Sequence, residues 1–81
     1  MAKIGDRVGA VQSADKETVY LYGYGVYHGK IDSPLGHPNP KILLDSGKAV
    51  WGYQCWWGPE ENVREMIGDR KVQIAEIEEE I

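Results

Sequence analysis

The run Ile42 to Pro59, ILLDSGKAVWGYQCWWGP, constrains the fold more than any other stretch of the chain. Asp45-Ser46-Gly47-Lys48 lies between two apolar runs, which is a hairpin signal. Gly47 supplies the positive φ that such a turn needs. A two-residue Ser46-Gly47 loop pairs Asp45 with Lys48 and Leu44 with Ala49. A three-residue loop shifts this by one position, and a shift of one exchanges the faces of the strand. The sequence leaves both registers open. Composition favours Ala49, Trp51, Tyr53, Cys55 and Trp57 as the core face of the second strand, because that set is apolar throughout. Trp56 is then the large aromatic that points the other way.

The flanking segments read as further strands. Lys3 to Gln12 reads as the first, followed by a polar turn over Ser13 to Glu17. Thr18 to Ile31, TVYLYGYGVYHGKI, is a long strand rich in β-branched and aromatic residues. Its glycines at 23, 25 and 29 mark bulges or bends. Asp32 to Pro40 holds three prolines and is expected to be a loop. A short helix is predicted from Pro59 to Ile67. Pro59 fits the first helical position, Glu60 and Glu61 suit the positive end of the helix dipole, and Gly68 can end it. Lys71 to Ile77 reads as the last strand. Residues 1–77 thus form one domain, and 78–81 an acidic tail.

At 81 residues the chain has room for a small core only. One cysteine excludes an internal disulfide and points to a reducing, cytoplasmic setting. No apolar run reaches the roughly 18 residues of a membrane span, so no membrane is expected as a partner. The net charge of -4 is unevenly distributed. Residues 1–58 carry a net +1 and residues 59–81 a net -5. The lysines and arginines of the first part stand singly, so no nucleic-acid groove is expected.

Five strands with a helical turn before the last is the element order of the Src-homology-3-like small barrels. The run Trp57-Gly58-Pro59-Glu60-Glu61-Asn62-Val63 resembles the aromatic, proline and asparagine run ahead of their last strand. The resemblance implies an all-β fold, a five-stranded Src-homology-3-like barrel with one short helix before the last strand. That family's Tyr-Asp-Tyr motif and tryptophan pair are absent, so the resemblance does not extend to polyproline binding. In size, and in the runs GYGVYHG and VWGYQCWWGPEENV, the chain also resembles small proteins carried on bacterial mobile elements, which implies no activity.

Catalytic and metal patterns are weak. Cys55 has only His28 and His37 as possible bases, one at a strand end and one in a loop, and a free cysteine in a strand is more often a small buried hydrophobe. Three Cys and His residues fall short of the four-ligand zinc pattern. Asp32 and Asp45 read as turn formers. Gly23-Tyr24-Gly25 is not followed by a helix, as a phosphate loop would be. The chain is therefore read as non-enzymatic, with no cofactor. The excess lies in eight aromatics, three Trp and five Tyr, with no Phe. A small barrel cannot enclose them all. The expectation is an outward face built from Tyr20, Tyr22, Tyr24 and Trp56, with Pro34 and His37 of the Pro-rich loop as its lip. It would bind a protein partner or a second copy, most simply as a two-fold homodimer. A nucleic-acid module or a small enzyme is the alternative.

Overall fold

Residue 25 has no room for a side chain, because the long strand that holds it lies almost in contact with its paired neighbour there, and the architecture follows from that long strand. The computed structural model describes residues 2–77; the expected tail at 78–81 lies outside them. The elements are β1 (Arg7–Ala14), β2 (Thr18–Asp32), β3 (Pro38–Leu44), β4 (Ala49–Trp51), a 3₁₀ turn (Gly52–Gln54), β5 (Trp56–Pro59), α1 (Glu60–Ile67) and β6 (Lys71–Ile74). The sheet runs β4-β3-β2-β1-β5, antiparallel throughout, and β6 joins it by pairing in parallel with β2. The chain is thus mostly β with one short helix.

The expected five-stranded closed barrel is corrected on two points. Among the described residues there are six strands, and β4 and β5 end the sheet without pairing with each other. The reason is local. The strand expected to run from Ala49 through Trp57 stops at Trp51, and the 3₁₀ turn redirects the chain before β5 begins. The last strand then lies beside the first half of β2, Thr18–Leu21, instead of closing a barrel.

The turn at Gly47 has the three-residue form: Leu43 pairs with Ala49, Ile42 with Val50, and Lys41 with Trp51. Gly47 takes a φ of 92°. This register puts Val50 in the core and Ala49 and Trp51 on the other face, reversing the expected phase. The 3₁₀ turn resets the alternation, so Cys55 and Trp57 return to the core side while Tyr53 stays exposed. Trp57 stacks on Tyr27 with ring centroids 5.2 Å apart. The Pro-rich segment is also more regular than expected, since β3 begins at Pro38. Pro38 and Pro40 are tolerated because β4 pairs only with residues 41–43, leaving this part of β3 with a neighbour on one side.

Two apolar clusters lie on opposite faces of the sheet. Val8, Ala10, Tyr27, Ile42, Leu44 and Val50 form one. Val11, Val19 and Leu21 form the other, covered by Val63 and Ile67 of α1. Helix α1 starts after Pro59 and ends at Gly68, whose N–H donates to the Arg64 carbonyl. Its Val63 rests on Gly9, where an added Cβ would lie 3.0 Å from three atoms of that valine. At Gly25 a Cβ would overlap the Leu43 carbonyl oxygen and come within 2.7 Å of Leu44 Cα.

Gly9→Ala is expected to lower the unfolding free energy by about 1–3 kcal/mol through overpacking. Gly25→Ala meets backbone, which cannot rotate away, and is expected to cost more than Gly9→Ala. Urea denaturation of the two variants measures the order; equal midpoints for wild type and Gly25→Ala would contradict the close approach of β2 and β3.

Candidate functional site

Strand β2 decides where the expected site residues go, because its pairing with β1 slips. Ala10 pairs with Gly23, but Val11 pairs with Leu21 and Ser13 with Tyr20. Tyr22 and Gln12 are both left out of the ladder. Each slip changes which face the following side chains take. Tyr22 packs towards the cluster around Ile42, and Tyr24 towards the cluster under α1. Tyr20 is half-buried opposite Gln73. Trp56 is 52% exposed and stands opposite Val11. Pro34 and His37 sit in the exposed turn beyond Asp32, where the Ser33 N–H and hydroxyl both donate to the His37 carbonyl. The structure does not bring these six residues together. Tyr22 and Tyr24 lie on opposite faces, and the turn lies at the far end of β2, roughly 30 Å from Leu21 by strand rise.

Tyr24 belongs instead to a chain of charged contacts that sequence patterning did not show. Both terminal nitrogens of Arg7 donate to the two Asp45 carboxylate oxygens at 2.7 Å. Arg7 Nε donates to Glu60 Oε1 at 3.1 Å, and Arg64 Nε to Glu60 Oε2 at 3.1 Å. The Arg64 guanidinium then lies over the Tyr24 ring, 4.3 Å from its centroid. The Asp45 N–H also donates to the Tyr24 carbonyl. One line of contacts thus ties the β3–β4 turn, β1, α1 and β2. Hydrogen bonds from Arg7 hold the Asp45 carboxyl below its ordinary range. Glu60 is lowered in the same way, first by Arg64 and then by Arg7.

Cys55 is partly buried and its Sγ donates to the Trp51 carbonyl at 3.5 Å. Burial pushes the thiol up to about 11. His28 and His37 are exposed, and His37 Nδ1 lies 3.2 Å from the Asn39 amide nitrogen. Among the described residues no three His, Cys, Asp or Glu side chains gather as a metal site. No helix among them is long and apolar enough to cross a membrane.

The remaining feature is β6. It pairs with β2 on one side, and all four of its residues are exposed. Lys71 and Ala75 turn their N–H groups inward, to the carbonyls of Glu17 and Leu21. Val72 and Ile74 therefore turn theirs to the other edge, where no strand pairs among the described residues. Their side chains, 46% and 66% exposed, lie on the same face as Val19 and Leu21, their partners in the ladder. A groove of about 320 Å³ between β6 and α1 is lined by Leu21, Tyr24, Arg64, Ile67, Gly68 and Val72. The sequence signal was the alternation of Lys71-Val72-Gln73-Ile74, which identifies a strand but not which of its edges stays open. Comparison with protein-family models, characterised proteins and solved structures finds no match to this chain.

Two measurements check this description. At pH 8 native Cys55 is expected to react with iodoacetamide at least about 100-fold more slowly than in denaturant, since its thiolate fraction is far below that of a free thiol. Equal rates would show the thiol to be exposed. Asp45 and Glu60 have lowered folded-state pKa values, so their contribution is complete above the carboxylate range and is lost as pH falls through it. Urea midpoints are expected to drop between about pH 4.5 and pH 2. Asp45→Asn should lower the pH 7 midpoint and flatten that acid slope; an unchanged slope would mean the Arg7–Asp45 contact contributes nothing.

Proposed function

We propose that the protein is a non-enzymatic protein-binding module that assembles edge to edge with a second copy of itself through β6. The observation that carries this reading is the free side of β6, where the outward N–H and C=O groups belong to the same two residues, Val72 and Ile74, that expose apolar side chains. Antiparallel pairing about a two-fold axis at Gln73 sets each Val72 opposite the second copy's Ile74. Both are then in the hydrogen-bonded position, and their side chains meet on one face. Strand addition of this kind obtains affinity from main-chain bonds and specificity from alternate side chains. The groove beside α1 extends the apolar surface.

The cations of the chain support a protein partner over nucleic acid. Arg7 and Arg64 are engaged by Asp45 and Glu60, Arg70 donates to the carbonyls of Asp15 and Met66, and Lys41 lies over Trp51. Lys3, Lys16, Lys30, Lys48 and Lys71 remain, but in a chain of net charge -4 they give little drive to displace counterions from a phosphate backbone. We read β1 to β5 as an opened form of the Src-homology-3-like arrangement. The helical turn ahead of the fifth strand is then Gly52–Gln54, with α1 and β6 added after it.

Light scattering tests the assembly. The wild type is expected at twice 9.1 kDa in the micromolar range, and Val72→Lys/Ile74→Lys at 9.1 kDa with its circular dichroism unchanged. Val72→Pro removes one outward N–H while leaving the inward bonds of Lys71 and Ala75, and it should also give a monomer. A wild type that stays at 9.1 kDa at about 1 mM, the limit of weak association, would end the proposal.

A further inference from the structure

The slip between β1 and β2 leaves two residues out of the ladder, Gln12 and Tyr22, and both line a single cavity. Its volume is about 260 Å³, and Val50, Gln54, Glu76 and Ile77 complete the lining. Bulges re-aim side chains, and here two facing irregularities bring a glutamine and a tyrosine to the lining of one space. The Gln54 carbonyl oxygen already accepts the Trp51 N–H at 2.9 Å, so the group this side chain offers is its NH₂. Among the described residues Glu76 is the one charged member of the lining, with no Lys, Arg or His beside it. Val50 and Ile77 supply the apolar wall.

We propose that this cavity binds a small hydroxylated amine. Glu76 takes the ammonium group in a charge-assisted hydrogen bond. The Gln54 NH₂ donates to a hydroxyl oxygen, while the Gln12 amide and the Tyr22 hydroxyl each donate or accept as the ligand requires. The carbon skeleton lies against Val50, Ile77 and the Tyr22 ring. A carboxylate or phosphate ligand is disfavoured because Glu76 repels it and no cation offsets that. The volume falls below the usual range of drug-sized pockets, which selects molecules of about monosaccharide size. The lining contains neither Val72 nor Ile74, and the titration is run on Val72→Lys/Ile74→Lys as well as on the wild type, so its outcome is read apart from self-assembly.

The experiment is a titration of ¹⁵N-labelled protein with glucosamine, glucose and glucuronate, probes of one size that differ in charge. Glucosamine is expected to shift the amide signals of Gln12, Tyr22 and Gln54 saturably, with a Kd on the order of 1 mM. Glucose should bind about tenfold more weakly and glucuronate not measurably, because the ammonium–Glu76 bond is the charged contact of the set. Glu76→Gln, at an exposed position, should erase the preference for glucosamine, and Gln12→Leu should weaken both ligands. No saturable shift at about 50 mM glucosamine, well above the expected Kd, would overturn the proposal. So would equal binding of all three sugars, or a preference that persists in Glu76→Gln.

Discussion

One strand carries the architecture. β2 is 15 residues long and paired along both edges. β1 occupies one edge, while β3 and β6 share the other end to end. A strand used so fully must twist, and its ladders are interrupted at the slip around Tyr22 and again between Tyr27 and Lys30. The slip distributes apolar residues to both faces. Val19 and Leu21 go under the helix, and Tyr27 goes to the opposite cluster. One layer of backbone therefore supports two small cores, each closed by a different part of the chain. The β3–β4 hairpin folds over one, and α1 lies on the other.

The contacts between these parts are divided by type. Apolar burial holds each core, while exposed ion pairs connect the hairpin turn to the helix through Arg7 and Glu60. Exposed ion pairs contribute little singly. Here they act as links, because Arg7 of β1 holds Asp45 of the turn with two hydrogen bonds and also reaches Glu60 at the start of α1. On the same helix Val63 rests on Gly9 of β1. The helix in turn forms one wall of the groove beside β6.

Much of this order could be read from the residues. The Asp45–Lys48 turn, the long strand from Thr18 and the helix between Pro59 and Gly68 each carry local signals that the structure obeys. What could not be read is phase. A three-residue and a two-residue turn differ by one position, yet they decide whether Val50 or Trp51 is buried. The slip at Tyr22 has the same character. Gly23 advertised an irregularity, but the residue displaced was its neighbour, and three tyrosines on one expected face were dealt to different surroundings. Pro38 and Pro40 were strong local breakers overruled by a one-sided position in the sheet. The single face expected for Tyr20, Tyr22 and Tyr24 depended on unbroken alternation, and the slip divides it. The edge of β6 was out of reach because openness belongs to the assembled sheet and not to any residue.

The parallel pairing of β6 has a consequence for the order of folding. Lys71 meets Thr18 across more than fifty residues of intervening chain, whereas the hairpins close over a few. Loop closure of that length is entropically expensive and follows the local pairings. Until β6 arrives, the Thr18–Leu21 half of β2 presents a bare, β-prone edge of Val, Tyr and Leu. Such an edge invites pairing with any extended chain nearby. The residues ahead of it are Asp15, Lys16 and Glu17, all exposed and all charged. They stand where gatekeepers against aggregation would be placed. A turn that looks like a simple connector thus guards the last vacancy in the sheet while the chain is still unfinished.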